Sequence, residues 1–302
     1  MADFTSPFWH WFVAIVSLLG ILVLFPLLYR NRGNQPSGTL KTMGHVWDGD
    51  LEEYNNPLPG WWLNLFAVTL VFGLVYLILY PGLGHFPGVL GWSSKGQYEQ
   101  EIQAASEQYD PLYQHYASID IRTLSTHPEA LKTGRRLFAN YCAACHGSDA
   151  RGARGFPNLR DSEWLYGGEP EQVYQSILHG RSGVMPAWGS VLGEEGVENV
   201  TNYILGLGNR EHDGSLAAAG QPQYQQLCVA CHQADGSGNQ VLGAPNLKDR
   251  IWQYGGSKAS IRESIANGRH GVMPAHGEFL GEERVHLLSA YVYSLSQEYE
   301  QE

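Results

Sequence analysis

Two stretches of unbroken apolar character stand out in the first third of the chain. Phe8 to Tyr29 carries no charged side chain over 22 residues. As a helix it reaches about 33 Å, enough to cross a hydrocarbon core of about 30 Å. Trp61 to Tyr80 is a second such stretch, 20 residues long and apolar on every side, with tryptophans at its start and tyrosines at its end. Lipid-embedded helices have that character and those interfacial anchors. After residue 80 the pattern changes. Pro81, Gly82, Gly84, Pro87, Gly88 and Gly91 break any regular element. Ser93 or Ser94 then caps a helix to about Tyr109, with Tyr98, Ile102, Ala105 and Tyr109 on one face, and Pro111 ends it. That face packs on its own domain or meets a partner. The last periodic segment predicts a helix near Glu282 to Ser296.

The remainder of the chain is written twice. Gly134 recurs as Gly220 and Cys142 as Cys228, both 86 residues later. Pro157-Asn158-Leu159, Trp164, Tyr166, Arg181 and Met185 recur 88 residues later, so a two-residue slip falls in the loop between. Two copies make a tandem pair of one domain type, not a solenoid.

Each copy contains the same pentad, Cys142-Ala143-Ala144-Cys145-His146 and Cys228-Val229-Ala230-Cys231-His232. In C-x-x-C-H, two thiols can form thioethers to the vinyl groups of one haem while the imidazole meets its iron. A zinc site would leave both histidines unexplained, and a redox dithiol would sit in a βαβ pattern that is absent here. The pentads consume all four cysteines. The reading is two covalently bound haems c, at Cys142, Cys145, Cys228 and Cys231, with His146 and His232 as iron ligands.

The second axial ligand comes from a short list. Of four methionines, Met1 is the start and Met43 lies between the apolar stretches, while Met185 and Met273 each sit in a Gly-Val-Met-Pro-Ala repeat. His146 to Met185 is 39 residues and His232 to Met273 is 41, enough chain to wrap a haem edge. His179 and His276 flank these methionines but do not recur; their counterparts are Asn267 and Trp188. Both irons are therefore read as His/Met, low-spin electron carriers, since a thioether raises the potential and leaves no position for oxygen.

Charge and composition set the surroundings. Charged residues are only 16% of the chain, low for a purely soluble protein. A cleaved signal peptide would want a basic start and a shorter apolar stretch; this start has Asp3 and no Lys or Arg. An uncleaved span fits better. His10, between Trp9 and Trp11, reads as an interfacial residue. The loop between the spans holds Arg30, Arg32 and Lys41 with a Gly/Pro/Ser-rich stretch at Gly33 to Gly38, against none before the first span and Lys95 alone in the twenty residues after the second. Positive-inside bias puts that loop in the cytoplasm and both termini in the periplasm. Residues 95–302 hold 25 Asp/Glu against 16 Lys/Arg. That balance disfavours nucleic acid and suits either a basic redox partner or simple solubility.

The resulting fold class is all-α: two N-terminal transmembrane helices followed by two tandem haem domains. The parts are a first helix (1–30), a cytoplasmic loop (31–60), a second helix (61–82), a periplasmic linker (83–126), and haem domains at 127–209 and 215–302 with a hinge at Asn209 to Gly214. No nucleophile, general base, open metal or phosphate loop is evident.

The tandem domains resemble class I cytochromes c. That resemblance implies that the Pro157 and Pro245 carbonyls accept the Nδ1 protons of His146 and His232, and that haem attachment occurs outside the cytoplasm. Arg181, Arg269, Trp164 and Trp252 become candidates for the haem propionates, or else ordinary surface and core residues. The run His45-Val46-Trp47-Asp48-Gly49-Asp50-Leu51-Glu52-Glu53-Tyr54-Asn55-Asn56-Pro57-Leu58-Pro59-Gly60-Trp61-Trp62, the Tyr80-Pro81-Gly82 that ends the span and the Gly96-Gln97-Tyr98-Glu99 run resemble the dihaem subunit (CcoP/FixP family) of cbb3-type cytochrome c oxidases. Two departures are Gly60, where that family usually has a basic residue, and the extra span at Phe8 to Tyr29. The resemblance implies an electron-transfer subunit in the bacterial inner membrane. It would take electrons from a soluble cytochrome c and pass them to a monohaem cytochrome c subunit and the catalytic haem–copper subunit, which reduces oxygen to water and pumps protons. The alternatives are a dihaem carrier for a membrane dehydrogenase, a stand-alone carrier, and a dihaem peroxidase, which Met185 and Met273 oppose.

Overall fold

The computed structural model describes residues 6–33 and 41–299. Asp3, the greater part of the Gly/Pro/Ser-rich stretch and the three final residues of the expected second haem domain lie outside the described residues. The chain divides into two compact units, Met1–Glu107 and Gln108–Glu302.

In the first unit, α1 (Pro7–Arg30) is followed by β1 (Thr42–Trp47), β2 (Leu51–Tyr54) and α2 (Gly60–Leu79). α1 and α2 pack on one another and are both long and apolar enough to span a membrane. The strands form an antiparallel hairpin within what the sequence suggested was a polar loop. Asp48 and Gly49 have φ of 50° and 91°, and the Asp50 N–H donates to the Trp47 carbonyl at 3.3 Å. Asp-Gly between hydrophobic runs is a strong hairpin signal, so this element was legible. His10 Nδ1 accepts the backbone N–H of His85 at 2.6 Å. Gly84 beside it, at φ +63°, is needed because a Cβ there would overlap the His10 ring.

Helix α3 (Ser94–Ala117) starts where expected, with Ser93 Oγ accepting the Gly96 N–H at 3.0 Å. It does not stop at Pro111. The lost hydrogen bond is offset by tertiary packing of the following turn: Tyr116 is buried, and the Arg284 guanidinium sits 4.6 Å from the centre of the Tyr113 ring. Tyr98, Ile102 and Tyr109 are exposed.

The second unit continues with α4 (Ile121–Leu124), α5 (Pro128–Tyr141), α6 (Ala143–His146), α7 (Pro170–His179), β3 (Arg181–Met185) and α8 (Gly189–Leu207). The second repeat supplies α9 (Gly214–Leu227), α10 (Val229–His232), α11 (Lys258–Asn267), β4 (Arg269–Met273), α12 (Gly277–Leu280) and α13 (Glu282–Tyr299). Gly193 breaks α8 just as Gly281 separates α12 from α13. The molecule is mostly helical, not all-α, because β3 and β4 pair as an antiparallel ribbon with Arg181 opposite Met273, Gly183 opposite Gly271 and Met185 opposite Arg269.

The ribbon exchanges the ends of the two repeats. α5 and α7 pack against α13, whereas α9 and α11 pack against α8. The first core joins Leu124, Phe138, Val173 and Ile177 to Val285, Leu287, Leu288 and Leu295. The second joins Val197, Val200, Ile204 and Leu205 to Tyr224, Leu247, Ile261 and Ile265. The packing units are therefore not the contiguous segments 127–209 and 215–302. Each core combines the first part of one repeat with the last part of the other. Matching bonds anchor the crossing segments: Trp188 N–H to the Ile265 carbonyl at 2.9 Å, and His276 N–H to the Ile177 carbonyl at 3.0 Å. Asn209 to Gly214, expected as a hinge, is bonded to its surroundings at Asp213. The Asp213 N–H donates to Asn202 Oδ1 at 3.0 Å, and its carboxylate caps α9.

Candidate haem sites

Each pentad begins at the C-terminal end of a helix that must approach its neighbour closely. α5 crosses α13 at Gly134, facing Leu287 and Tyr291, and α9 crosses α8 at Gly220, facing Asn199 and Val200. Cys142 and Cys228 terminate these helices, and the short α6 and α10 bring Cys145, His146, Cys231 and His232 round beside them. Cys145 and Cys231 are exposed, Cys142 and Cys228 half-buried. Burial pushes the Cys142 and Cys228 thiols up to about 11. A redox-active dithiol needs the opposite shift, towards thiolate. Among the described residues, no group of three or more His, Cys, Asp or Glu is disposed to hold a metal ion by itself.

The histidines are buried and oriented. His146 Nδ1 lies 3.1 Å from the Pro157 carbonyl and His232 Nδ1 3.1 Å from that of Pro245. A carbonyl can only accept, so Nδ1 carries the proton and Nε2 keeps a lone pair for a metal. Burial lowers both imidazole pKa values, favouring the neutral ligand form. The loops close through Gly152 N–H to the His146 carbonyl at 2.7 Å and Gly238 N–H to the His232 carbonyl at 3.0 Å. The two-residue slip lies in these loops, where histidine and proline are 11 residues apart in one copy and 13 in the other.

The methionines follow the exchange. Met273 packs on the first core beside Cys142 and Ala143, and Met185 on the second beside Cys228 and Val229. His276 accompanies Met273 and is close enough to lower the His146 pKa, after burial; its counterpart Trp188 accompanies Met185. Thus Met273, not Met185, shares the first core with Cys142 and Ala143. His179 ends α7.

The propionate candidates divide. Arg181 Nε donates to Ser176 Oγ and Arg269 Nε to Ser264 Oγ, both at 2.9 Å, with the guanidinium groups 4.8 and 4.6 Å from the Tyr166 and Tyr254 ring centres. The Arg269 Nη2 and Arg210 Nη1 atoms are buried without a protein partner. Such donors fit a group carrying carboxylates, as haem does. Trp164 and Trp252 pack on the first and second cores. Sequence reading missed Ser176 and Ser264, although they recur at the 88-residue spacing, and Arg210, which has no repeat mate. It also missed Asp161, Glu163 and Asp249. These three carboxyl groups line a cavity of about 1200 Å³ between the two proline-bearing loops. Burial raises the pKa of each, and the Asp249 charge adds to the rise in Asp161 and Glu163.

Residues 39–87 match the family described as the N-terminal domain of cytochrome oxidase-cbb3, FixP. Residues 129–204 and 215–292 each match the family described as cytochrome c oxidase, cbb3-type, subunit III. The chain belongs to the CcoP/FixP family of cbb3-type oxidase subunits. A relative from Rubrivivax gelatinosus, named Cbb3-type cytochrome c oxidase subunit CcoP, is 42% identical over 98% of both chains. The Azorhizobium caulinodans FixP subunit is 38% identical over 86% of this chain and 94% of its own, and the Cereibacter sphaeroides CcoP subunit 36% over 86% and 96%. Membership makes this a membrane-anchored, haem c-binding electron-transfer subunit. The Pro157 and Pro245 contacts, which leave the Nε2 lone pairs for a metal, and the unpaired arginine donors fit that cofactor.

Proposed function

We propose that the chain binds two haems c with crossed axial ligation. Cys142 and Cys145 attach the haem held by His146 and Met273; Cys228 and Cys231 attach the haem held by His232 and Met185. Each cysteine S–H adds across a vinyl group, forming a carbon–sulfur bond while its hydrogen goes to the other vinyl carbon. The bound haem supplies a one-electron iron couple. The chain's own residues do the rest. Pro157 and Pro245 fix the imidazole rings, and the Met273 and Met185 sulfurs, packed on the two cores, would supply the second protein ligand of each iron.

The observation carrying this reading is the exchange of β3 and β4, which sets each methionine against the other repeat's pentad. The ribbon also links the two sites through five consecutive paired residues, a short covalent and hydrogen-bonded route between two carriers. Both sites serve outer-sphere transfer, so oxygen is reduced elsewhere. Electrons enter from a soluble cytochrome c and leave towards the monohaem and catalytic haem–copper subunits of a cbb3-type oxidase. Arg30, Arg32 and Lys41 between the spans support a cytoplasmic loop, with both termini and the haem domains in the periplasm of a bacterial inner membrane.

The test is purification of the chain from its native membrane. Two covalent haems per chain, the far-red band of a ferric–thioether bond, and stoichiometric copper- and haem b-containing partners are expected. An isolated carrier, or one joined to a dehydrogenase, refutes the oxidase assignment. Rapid carbon monoxide binding by either reduced haem c refutes the His/Met ligation.

A further inference from the structure

The two repeats match at most positions around their pentads, but residue 210 breaks the symmetry. Both N-terminal helices begin at matched caps, His127 for α5 and Asp213 for α9, 86 residues apart like the glycines and cysteines that follow. In that register Arg210 corresponds to Leu124, which is fully buried in the first core. The first core thus has a hydrocarbon where the second has a guanidinium. Arg122, two residues before Leu124, does not substitute for it. Its side chain is engaged by Glu169 at 2.7 Å and by the Tyr293 hydroxyl at 2.6 Å.

Arg210 is held in place. Its guanidinium lies 5.6 Å from the Trp252 ring centre, Nη2 donates to the Gly256 carbonyl, and the Arg210 N–H donates to the Leu205 carbonyl at 2.9 Å. Nη1 is buried and has no protein acceptor. A buried cationic donor left unpaired is costly, so a fold that fixes one in this way favours an anionic acceptor beside it. Trp252 does not compete for that acceptor, because its indole N–H already donates to the Asp249 carbonyl at 3.1 Å. Arg269, held by Ser264 and Tyr254, carries a second buried unpaired donor, Nη2.

We infer that Arg210 is a positioning residue for the haem of the second core, pairing through Nη1 with a haem propionate and replacing Trp252 in that role. This rests on the haem reading proposed above. The haem held by His232 then has two arginines at its carboxylates, Arg210 and Arg269, and the haem held by His146 has the one equivalent arginine, Arg181. A fixed positive charge favours the reduced iron, so Arg210 raises the potential of one haem and separates the two carriers.

The experiment is a potentiometric titration of the full chain in its complex, at several pH values, for wild type, Arg210→Gln and Arg210→Lys, after counting covalent haems per chain. In Arg210→Gln one haem c midpoint should fall while the other stays. The pH range over which that midpoint varies should move upward, because the propionate has lost its cation, and Arg210→Lys should restore part of both effects. The moved midpoint should be the one that Met185→Ala also lowers, and not the one lowered by Met273→Ala. A solely structural tie to Gly256 would leave the potentials and their pH range unchanged. Two haems with both midpoints unmoved in Arg210→Gln, or with both lowered equally, would overturn the inference alone. Fewer than two covalent haems in wild type would overturn the reading beneath it.

Discussion

The exchange of C-terminal helices has a thermodynamic test at the glycines where the helices cross. A Cβ on Gly134 would lie 2.7 Å from Tyr291 Cβ and 3.3 Å from the Leu287 carbonyl oxygen. Neither atom can rotate away, so α5 and α13 must part by about 0.7 Å to regain an ordinary 3.4 Å contact. Overpacking of this kind costs about 1–3 kcal/mol, against a gain of roughly 0.8–1 kcal/mol from replacing glycine in a helix. Gly134→Ala should therefore lose about 1 kcal/mol. At Gly220 the Cβ would clash with the Asn199 carbonyl group and lie 2.8 Å from the Val200 nitrogen, all of it backbone, so Gly220→Ala should lose about 2 kcal/mol. Gly214→Ala meets nothing within 4 Å and serves as the control. The assay is urea unfolding of the holoprotein, followed by haem absorbance and helical circular dichroism. A double-mutant cycle then names the neighbour. Gly134→Ala should couple to Tyr291→Ala by about 0.5–3 kcal/mol and be additive with Tyr203→Ala. Tyr203, 88 residues before Tyr291, is its counterpart in the first repeat and would take its place on α5 if each repeat packed on itself. Coupling to Tyr203 in place of Tyr291 would refute the exchange, and Gly220→Ala as stable as wild type would refute the crossing geometry.

Other outcomes follow from the same geometry. Met273→Ala should lower the potential of the haem on the Cys142–Cys145 peptide and open it to carbon monoxide, while Met185→Ala should do so for the Cys228–Cys231 haem; mass spectrometry of haem peptides after photochemical labelling identifies which iron opened. Asp161, Glu163 and Asp249 have raised pKa values in the fold, chiefly from burial. Their folded state therefore holds protons that the unfolded chain releases from about pH 4 upward. The contribution of these three groups to stability is therefore most favourable below that pH and declines as pH rises from the unfolded towards the folded values. Glu163→Gln should raise the thermal midpoint at pH 8 and leave it unchanged at pH 4, and an equal gain at both would contradict the assignment. Asp213 accepts from the Ser215 and Leu216 N–H groups at 2.8 and 3.1 Å. Losing that cap in Asp213→Ala should cost about 1 kcal/mol, seen as a lower urea midpoint with an unchanged slope.

Much of this protein is local chemistry and was readable from spacing. A C-x-x-C-H pentad places two thiols and an imidazole on one turn wherever it folds, and twenty uncharged residues cross a bilayer whatever surrounds them. The 86- and 88-residue offsets located the loop insertion between histidine and proline. Which methionine serves which histidine could not be read in this way. Both helix crossings use a glycine at the same repeat position, and the same aromatic pairing recurs, Tyr291 with Phe138 and Tyr203 with Tyr224, so the pattern does not say which C-terminal helix meets which N-terminal helix. The choice belongs to the ribbon. Gly180 and Gly268, at φ of +70° and +71°, turn α7 and α11 into antiparallel strands, and that pairing carries each chain end across to the other core. Helix α3 likewise runs through Pro111 because Tyr113 and Tyr116 find tertiary partners. Arg210 was invisible because an arginine in a polar linker looks like any other until its neighbours bury it. Short-range spacing determined what chemistry the chain carries; long-range pairing between near-identical halves decided how that chemistry is assembled, because repeated sequences leave the choice of partner degenerate until they pack.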